Sequence, residues 1–269
     1  MMQFCIKFIK TNVTYPRNMI FKPVVRIFFP LVSLLLAFSI LAFQHSENEE
    51  QSKQKQVQYG VNLVELFTSQ GCSSCPPADV LLSTIKNQDN VIALSYHVDY
   101  WNHLGWKDPY SNQQFSDYQR NYAQKLSSGV YTPQMVVNGK TEFVGSKKKV
   151  LEKSISTKST VKALPAPVVT KNDKNIEFTY SLTDNDKLDS AYALLVLDEH
   201  TTEVSRGENS QKKLKNSNVV VQRVALDIKN DAGEQSFEID NDAAANYKVA
   251  IVAQDKNLEV VAAGISSFE

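Results

Sequence analysis

Two thiols three residues apart carry the most specific chemistry in this 269-residue chain: Cys72 and Cys75, in Gly-Cys-Ser-Ser-Cys-Pro. Cys5 precedes a long apolar run, so the chain beyond that run holds only this pair. The pair follows an apolar stretch, Val61 to Phe67, and precedes Ala78, Leu81, Leu82 and Ile85, which recur at helical spacing; this reads as a strand and then an amphipathic helix. Unpaired amides and the dipole at a helix start favour a thiolate, the attacking species in thiol–disulfide exchange. On that reading Cys72 is the accessible nucleophile and Cys75, one turn into the helix, the resolving thiol. Two other readings use the same residues. One is a static disulfide, although a bridge across so few residues gains little loop-closure entropy. The other is copper(I) or zinc capture by Cys72, Cys75, His97 and His103, a soft Cys₂His₂ set.

Further candidates lie near that pair in the expected topology. His97 ends the strand Val91–Tyr96, and in open α/β sheets ligands sit at the carboxyl ends of strands. Asp99, Tyr100, Trp101 and Trp106 crowd the same rim, either to contact substrate or to pack an insertion onto the sheet. Glu65 interrupts an apolar strand: buried, it could move protons for the resolving cysteine, and at an edge it would face solvent. His200 reads as a surface residue. No Gly-x-Ser-x-Gly turn, Gly-x-Gly-x-x-Gly run or P-loop occurs, so serine hydrolysis and nucleotide binding lack their motifs. With 29 basic and 29 acidic side chains, a basic nucleic-acid binder is excluded too.

These residues need elements to position them. Strand, helix and strand with short connections make a βαβ unit, for which a right-handed crossover and a parallel pair are the default. Residues 97–129 read as a helical insertion, with a capping box at Ser111-Asn112-Gln113-Gln114 and a helix over about 112–126 from Phe115, Tyr118, Tyr122 and Leu126. Met135–Val137 and Thr141–Val144 flank Asn138-Gly139, the signature of a type I′ hairpin. A closing helix follows over about 147–156, and the Ser, Thr, Lys and Pro-rich stretch 157–167 marks a boundary. Beyond it the apolar residues alternate. Strands are expected at 176–182, 192–197, 219–228, 236–239, 247–253 and 259–265, which points to a β-sandwich over 161–269.

Composition supports a folded chain, with 42% hydrophobic and 22% charged residues. Charge is uneven: residues 1–46 hold five basic side chains and no acidic one, leaving 24 basic against 29 acidic downstream. Ile27 to Phe43 is a seventeen-residue uncharged run behind that basic flank, the layout of a signal peptide or signal anchor. Basic residues before it keep the N-terminus in the cytoplasm and put the rest outside, periplasmic or secreted, with cleavage and anchoring in the inner membrane both open. Residues 47–58 read as a tether, and the fold is expected to begin near Tyr59 with an α/β domain over 59–160.

The arrangement resembles the thioredoxin-like superfamily, in which Thr132-Pro133, opening a hairpin strand, would be the cis-proline turn that aligns a partner's backbone beside the redox pair. Val64-Glu65-Leu66-Phe67-Thr68-Ser69-Gln70-Gly71-Cys72-Ser73-Ser74-Cys75-Pro76-Pro77-Ala78-Asp79, with His97-Val98-Asp99-Tyr100-Trp101, Gly105-Trp106-Lys107-Asp108-Pro109 and Tyr131-Thr132-Pro133-Gln134, resembles more closely a bacterial secreted family catalogued as domain of unknown function 1223. Arg206-Gly207-Glu208-Asn209 and Val219-Val220-Val221 extend the likeness to roughly 60–265. Asn216 stands where that family is expected to carry a histidine, so no catalytic role is expected of that stretch. The resemblance implies a thioredoxin-like domain followed by a β-sandwich, and thiol–disulfide exchange with exported proteins through Cys72, Cys75 and Pro133. It implies no cofactor beyond the redox-active disulfide.

Overall fold

The computed structural model describes residues 60–266 apart from 173, 183, 184 and 240–245. The apolar run at 27–43 and the tether at 47–58 lie outside the described residues. The described residues belong to one compact unit, Gln58–Glu269, with a mixed α/β fold built on a large sheet and few helices.

Strand β1 (Asn62–Thr68) is buried along its whole length and pairs in parallel with β2 (Val91–His97), the two joined by helix α1 (Pro76–Ile85). The near-continuous apolar run of β1 follows from burial on both faces. Val64 and Leu66 meet Ala78, Leu82 and Ile85 of α1, while Leu63 and Phe67 point the other way. There they meet helix α2 (Gln113–Lys125) through Phe115, Tyr118 and Tyr122. Asn112 rather than Ser111 caps α2, its side chain accepting from the Gln114 amide. Strand β3 (Gln134–Val137) runs antiparallel to β1 and makes a hairpin with β4 (Thr141–Val144). Asn138 and Gly139 both have positive φ, 56° and 67°, as a type I′ turn requires. Helix α3 (Lys148–Ser156) follows, buried through Leu151.

The compositional boundary near residue 160 does not interrupt the sheet. Strands β8 (Ser190–Glu203), β9 (Lys213–Ala225), β11 (Tyr247–Gln254) and β12 (Val260–Ile265) continue it, with the two-residue β5 (Lys162–Ala163) at the edge, in the order β4-β3-β1-β2-β9-β8-β11-β12-β5. Strands β6 (Val168–Lys171), β7 (Asn175–Ser181) and β10 (Ala232–Glu238) form a second, three-stranded sheet. Ile176, Phe178, Tyr180 and Phe237 of that sheet cover Ala193, Leu195, Val249 and Ile251 of the large one. The alternation along β7 reflects this burial of one face.

The physical reason the boundary does not separate the halves is the seam between β2 and β9. Its register holds one residue pair, Ser95 with Val219, and side chains reinforce it. Ser95 donates to Ser217 O at 3.2 Å, and Asn218, at φ 47°, donates to Ala93 O at 2.8 Å. Strands β8 and β9 are longer than their apolar cores indicate, because they run past the seam as a two-stranded hairpin whose turn lies at 204–212.

Asn218→Ala removes a buried bridge and puts alanine at a left-handed backbone position. It is expected to destabilise the unit by about 2–3 kcal/mol, read from urea denaturation. The transition is expected to stay single, since both halves share the seam.

Candidate functional site

The site begins where β1 ends. The loop after Thr68 turns tightly: the Gly71 amide donates to Ser69 Oγ at 3.1 Å and the Cys72 amide to Ser69 O at 3.1 Å. Gly71 is needed for close approach, since a Cβ there would lie 3.1 Å from Trp101 Cβ. Cys72 and Cys75 form a disulfide with Cα atoms 5.5 Å apart. Cys75 caps α1 rather than lying one turn inside it; its carbonyl accepts from the Ala78 and Asp79 amides, while Pro76 and Pro77 occupy the first turn, where no amide is needed.

Both cysteines are fully buried, and the intervening Ser73 and Ser74 are exposed. The expectation of an accessible Cys72 is therefore corrected for this oxidised form, in which a segment 135 residues beyond Ser73 is hydrogen-bonded to the loop. Asn209 donates to Gln70 O at 3.0 Å and to Cys72 O at 2.9 Å, and Glu208 accepts from the Ser73 amide at 3.0 Å. Hydrogen bonding from the Ser73 side chain, and then from its amide, holds the exposed Glu208 carboxyl below its usual range.

Thr132 and Pro133 stand beside the pair. Their peptide bond is cis, and Thr132 O accepts from Ser74 Oγ at 3.5 Å. Ser74 Oγ also lies 3.3 Å from Cys72 Sγ, so one hydroxyl links the disulfide to the proline turn. Trp101 donates through Nε1 to Thr132 Oγ1 at 2.8 Å, and Trp106 through Nε1 to Gln70 Oε1 at 3.2 Å. Both indoles thus hold the loops that frame the disulfide.

Beneath the loop lies a buried polar cluster. Asp108 Oδ2 accepts from the Gln70 amide at 2.8 Å and from His97 Nδ1 at 2.7 Å, and its Oδ1 accepts from the Tyr110 amide at 3.0 Å. Asp79 accepts from Thr68 Oγ1 at 2.9 Å. Burial pushes the Asp79 carboxyl up to about 7 against the pull of His97 and the Thr68 hydroxyl. For His97 burial acts downward, but Asp108 and then Asp79 outweigh it and raise the imidazole above its ordinary value. Burial likewise acts upward on Asp108, and His97 outweighs it, holding Asp108 low. The result is a buried, hydrogen-bonded His97–Asp108 pair beside an acid that titrates near neutrality.

The other candidates fall elsewhere. His103 is exposed, with Nδ1 2.8 Å from Tyr100 O. Among the described residues no group of three or more His, Cys, Asp or Glu side chains converges to hold a metal, so Cys72, Cys75, His97 and His103 are not gathered as one ligand set. Asp99 holds α2 by accepting from Ser116 Oγ. Glu65 is buried, not at an edge, and accepts from Tyr118 at 3.0 Å and Tyr122 at 2.7 Å on the α2 face. His200 is exposed, its ring against Tyr110, which in turn meets the His97 ring. Asn216, assigned no role from sequence, accepts from Gln70 Nε2 at 3.1 Å.

Asp79 was not singled out from sequence as a candidate, yet a signal existed. It lies four residues after Cys75 on the inward face of α1, a charged residue amid Ala78, Leu81 and Leu82. Asp108, Glu208 and Asn209 stand in the motifs that carry the family resemblance, but no apolar periodicity singles them out.

Residues 63–254 match the family described as "Protein of unknown function (DUF1223)", and the chain belongs to that family. Nothing among the curated proteins matches the chain. A crystal structure of an Agrobacterium tumefaciens protein, from a structural genomics consortium, is 26% identical and covers 79% of this chain and 99% of its own, with TM-score 0.57. HBP35 of Porphyromonas gingivalis shares the fold at 16% identity and TM-score 0.51, over 78% of this chain and 76% of that one.

The Asp79 carboxyl titrates near 7 in the folded chain against an ordinary 3.8. Its contribution to stability is thus fully present below about pH 4, is lost as pH rises to about 7, and is level beyond that. Asp79→Asn keeps the acceptor for Thr68 and removes the charge. Relative to wild type, the variant is expected to gain on the order of 4 kcal/mol between about pH 4 and pH 8, measured by urea denaturation across that range.

Proposed function

We propose that the protein exchanges disulfides with exported proteins through Cys72 and Cys75. The observation that carries this reading is the position of the pair, at the junction of β1 and α1 beside the Thr132-Pro133 turn, with Asp79 one turn further along the same helix. The β1-α1-β2 unit with the β3–β4 hairpin supports the thioredoxin-like reading of residues 59–160. The β6–β7–β10 layer over β8 and β11 supports the sandwich reading of the remainder.

In the oxidising direction a partner's thiolate attacks Cys72 Sγ. A bond forms between partner and Cys72, the Cys72–Cys75 bond breaks, and Cys75 leaves as a thiolate that takes a proton. Asp79, protonated below about pH 7, supplies it. The partner's second thiolate then displaces Cys72, leaving a disulfide in the partner and two thiols here. The reductive direction reverses each step, and the reduction potential of the pair sets which one runs. The basic flank and apolar run support an extracytoplasmic site of action.

A reporter active only outside the cytoplasm, fused after residue 60, is expected to be active in cells; silence would remove the premise of exported partners. Cys75→Ser is expected to accumulate mixed disulfides that vanish on reduction, because Cys72 attacks but nothing resolves it. Cys72→Ser is expected to trap none, by non-reducing gels of cell extracts. Equal trapping by both variants, or by neither, would overturn the exchange reading.

A further inference from the structure

An exchanging disulfide must admit a thiolate in line with the sulfur–sulfur bond, yet both sulfurs lie in fully buried residues. What lies on the loop is the turn of the β8–β9 hairpin. It is built as a unit of its own: the Gln211 amide donates to Val204 O at 2.8 Å, Val204 to Lys212 O at 3.0 Å and Lys212 to Asn209 O at 3.1 Å. Its grip on the rest is mostly polar. Two hydrogen bonds come from Asn209 and one goes to Glu208, while Gly207, at φ 76°, rests against the Trp106 turn, where a Cβ would lie 3.2 Å from Trp106 Cβ. Ser205 through Glu208 are exposed and only Val204 and Asn209 are buried, so lifting the turn uncovers little apolar surface. A segment with few buried apolar contacts opens at low free energy without global unfolding.

We infer that residues 204–212 are a latch over the Cys72–Cys75 disulfide, with Asn209 as its catch, and that the pair reacts only when the latch lifts. Closed, the latch ties down two carbonyls of the cysteine loop. It also places a carboxylate on the Ser73 amide, in the loop where a Cys72 thiolate would form. Lys212 Nζ donates to Asn209 Oδ1 at 2.9 Å, which orients the amide so that both its protons face the loop. Open, the latch frees the Ser73 amide and removes the negative charge beside the incoming thiolate. The latch rests on the exchange reading only in treating the disulfide as a working one.

The test is reduction of the purified oxidised protein by small thiols, which needs no partner. With dithiothreitol, one thiolate attacks the disulfide, the second displaces the cysteine, and the products are two protein thiols and cyclic oxidised dithiothreitol. Asn209→Ala is expected to speed this reaction by about tenfold or more, as loss of two buried hydrogen bonds shifts the latch open. Glu208→Ala, an exposed change that spares the core, is expected to speed it about threefold. Because removing a negative charge by itself favours an anionic thiolate, the same variant is also measured with cysteamine, whose zwitterionic thiolate carries no net charge and so cancels that effect. Faster reduction by both reagents supports the latch. An unchanged rate in folded Asn209→Ala, or no acceleration by cysteamine in Glu208→Ala, overturns it; should Asn209→Ala fail to fold, Glu208→Ala alone decides. Either result is independent of mixed-disulfide trapping, which tests the exchange reading.

Discussion

A chain that leaves the end of a buried strand and turns at once must find partners for its backbone polar groups without water. Here that demand falls on Gln70, Gly71 and Cys72, and it organises the site. Asp108 takes the Gln70 amide, Ser69 takes those of Gly71 and Cys72, and Asn209 takes the Gln70 and Cys72 carbonyls. Each partner is itself held: Asp108 by His97, and Asn209 by Lys212. The disulfide therefore sits in a frame of side chains drawn from both halves of the chain.

Two buried acids show how environment divides roles between similar groups. Glu65 receives two tyrosine hydroxyls, and Gln254 donates to those same hydroxyls at 3.0 and 2.8 Å. This network ties β1, α2 and β11 together, with the Arg223 guanidinium 4.4 Å from the centre of the Tyr118 ring. Burial still raises the Glu65 carboxyl, but its partners are structural. Asp79 has one hydroxyl and the nearby His97 ring, on the helix that Cys75 caps, and burial leaves it titrating near neutrality. Of the two acids, the one with fewer hydrogen bonds is the one that titrates near neutrality.

What could be read from sequence was what local rules govern. The spacing of Ala78, Leu81, Leu82 and Ile85 gives α1, that of Phe115, Tyr118 and Tyr122 gives α2, and Asn138-Gly139 gives the hairpin turn. The strands after residue 160 were visible as apolar runs, but their sheet was not, because membership depends on the Ser95–Val219 pairing between segments over a hundred residues apart. The polar ends of β8 and β9 were missed for a related reason: a two-stranded extension beyond the core has no apolar face to mark it. Burial of Cys72 was likewise invisible, since the residues that cover it are polar and distant.

The one-pair seam between β2 and β9 also bears on the order in which the molecule is made. The strand that carries the cysteines needs only local neighbours to form, whereas Asn209 lies 137 residues beyond the Cys72 carbonyl it holds. Closing so long a loop comes late, after local elements have formed. During synthesis the two thiols accordingly stand uncovered until the second half of the chain is complete and folds back across them. The protein is thus open to oxidation while it is being built and shielded once it is finished. Its cysteine-bearing half is not an interchangeable module, because the part that guards the sulfurs is encoded 137 residues later in the chain.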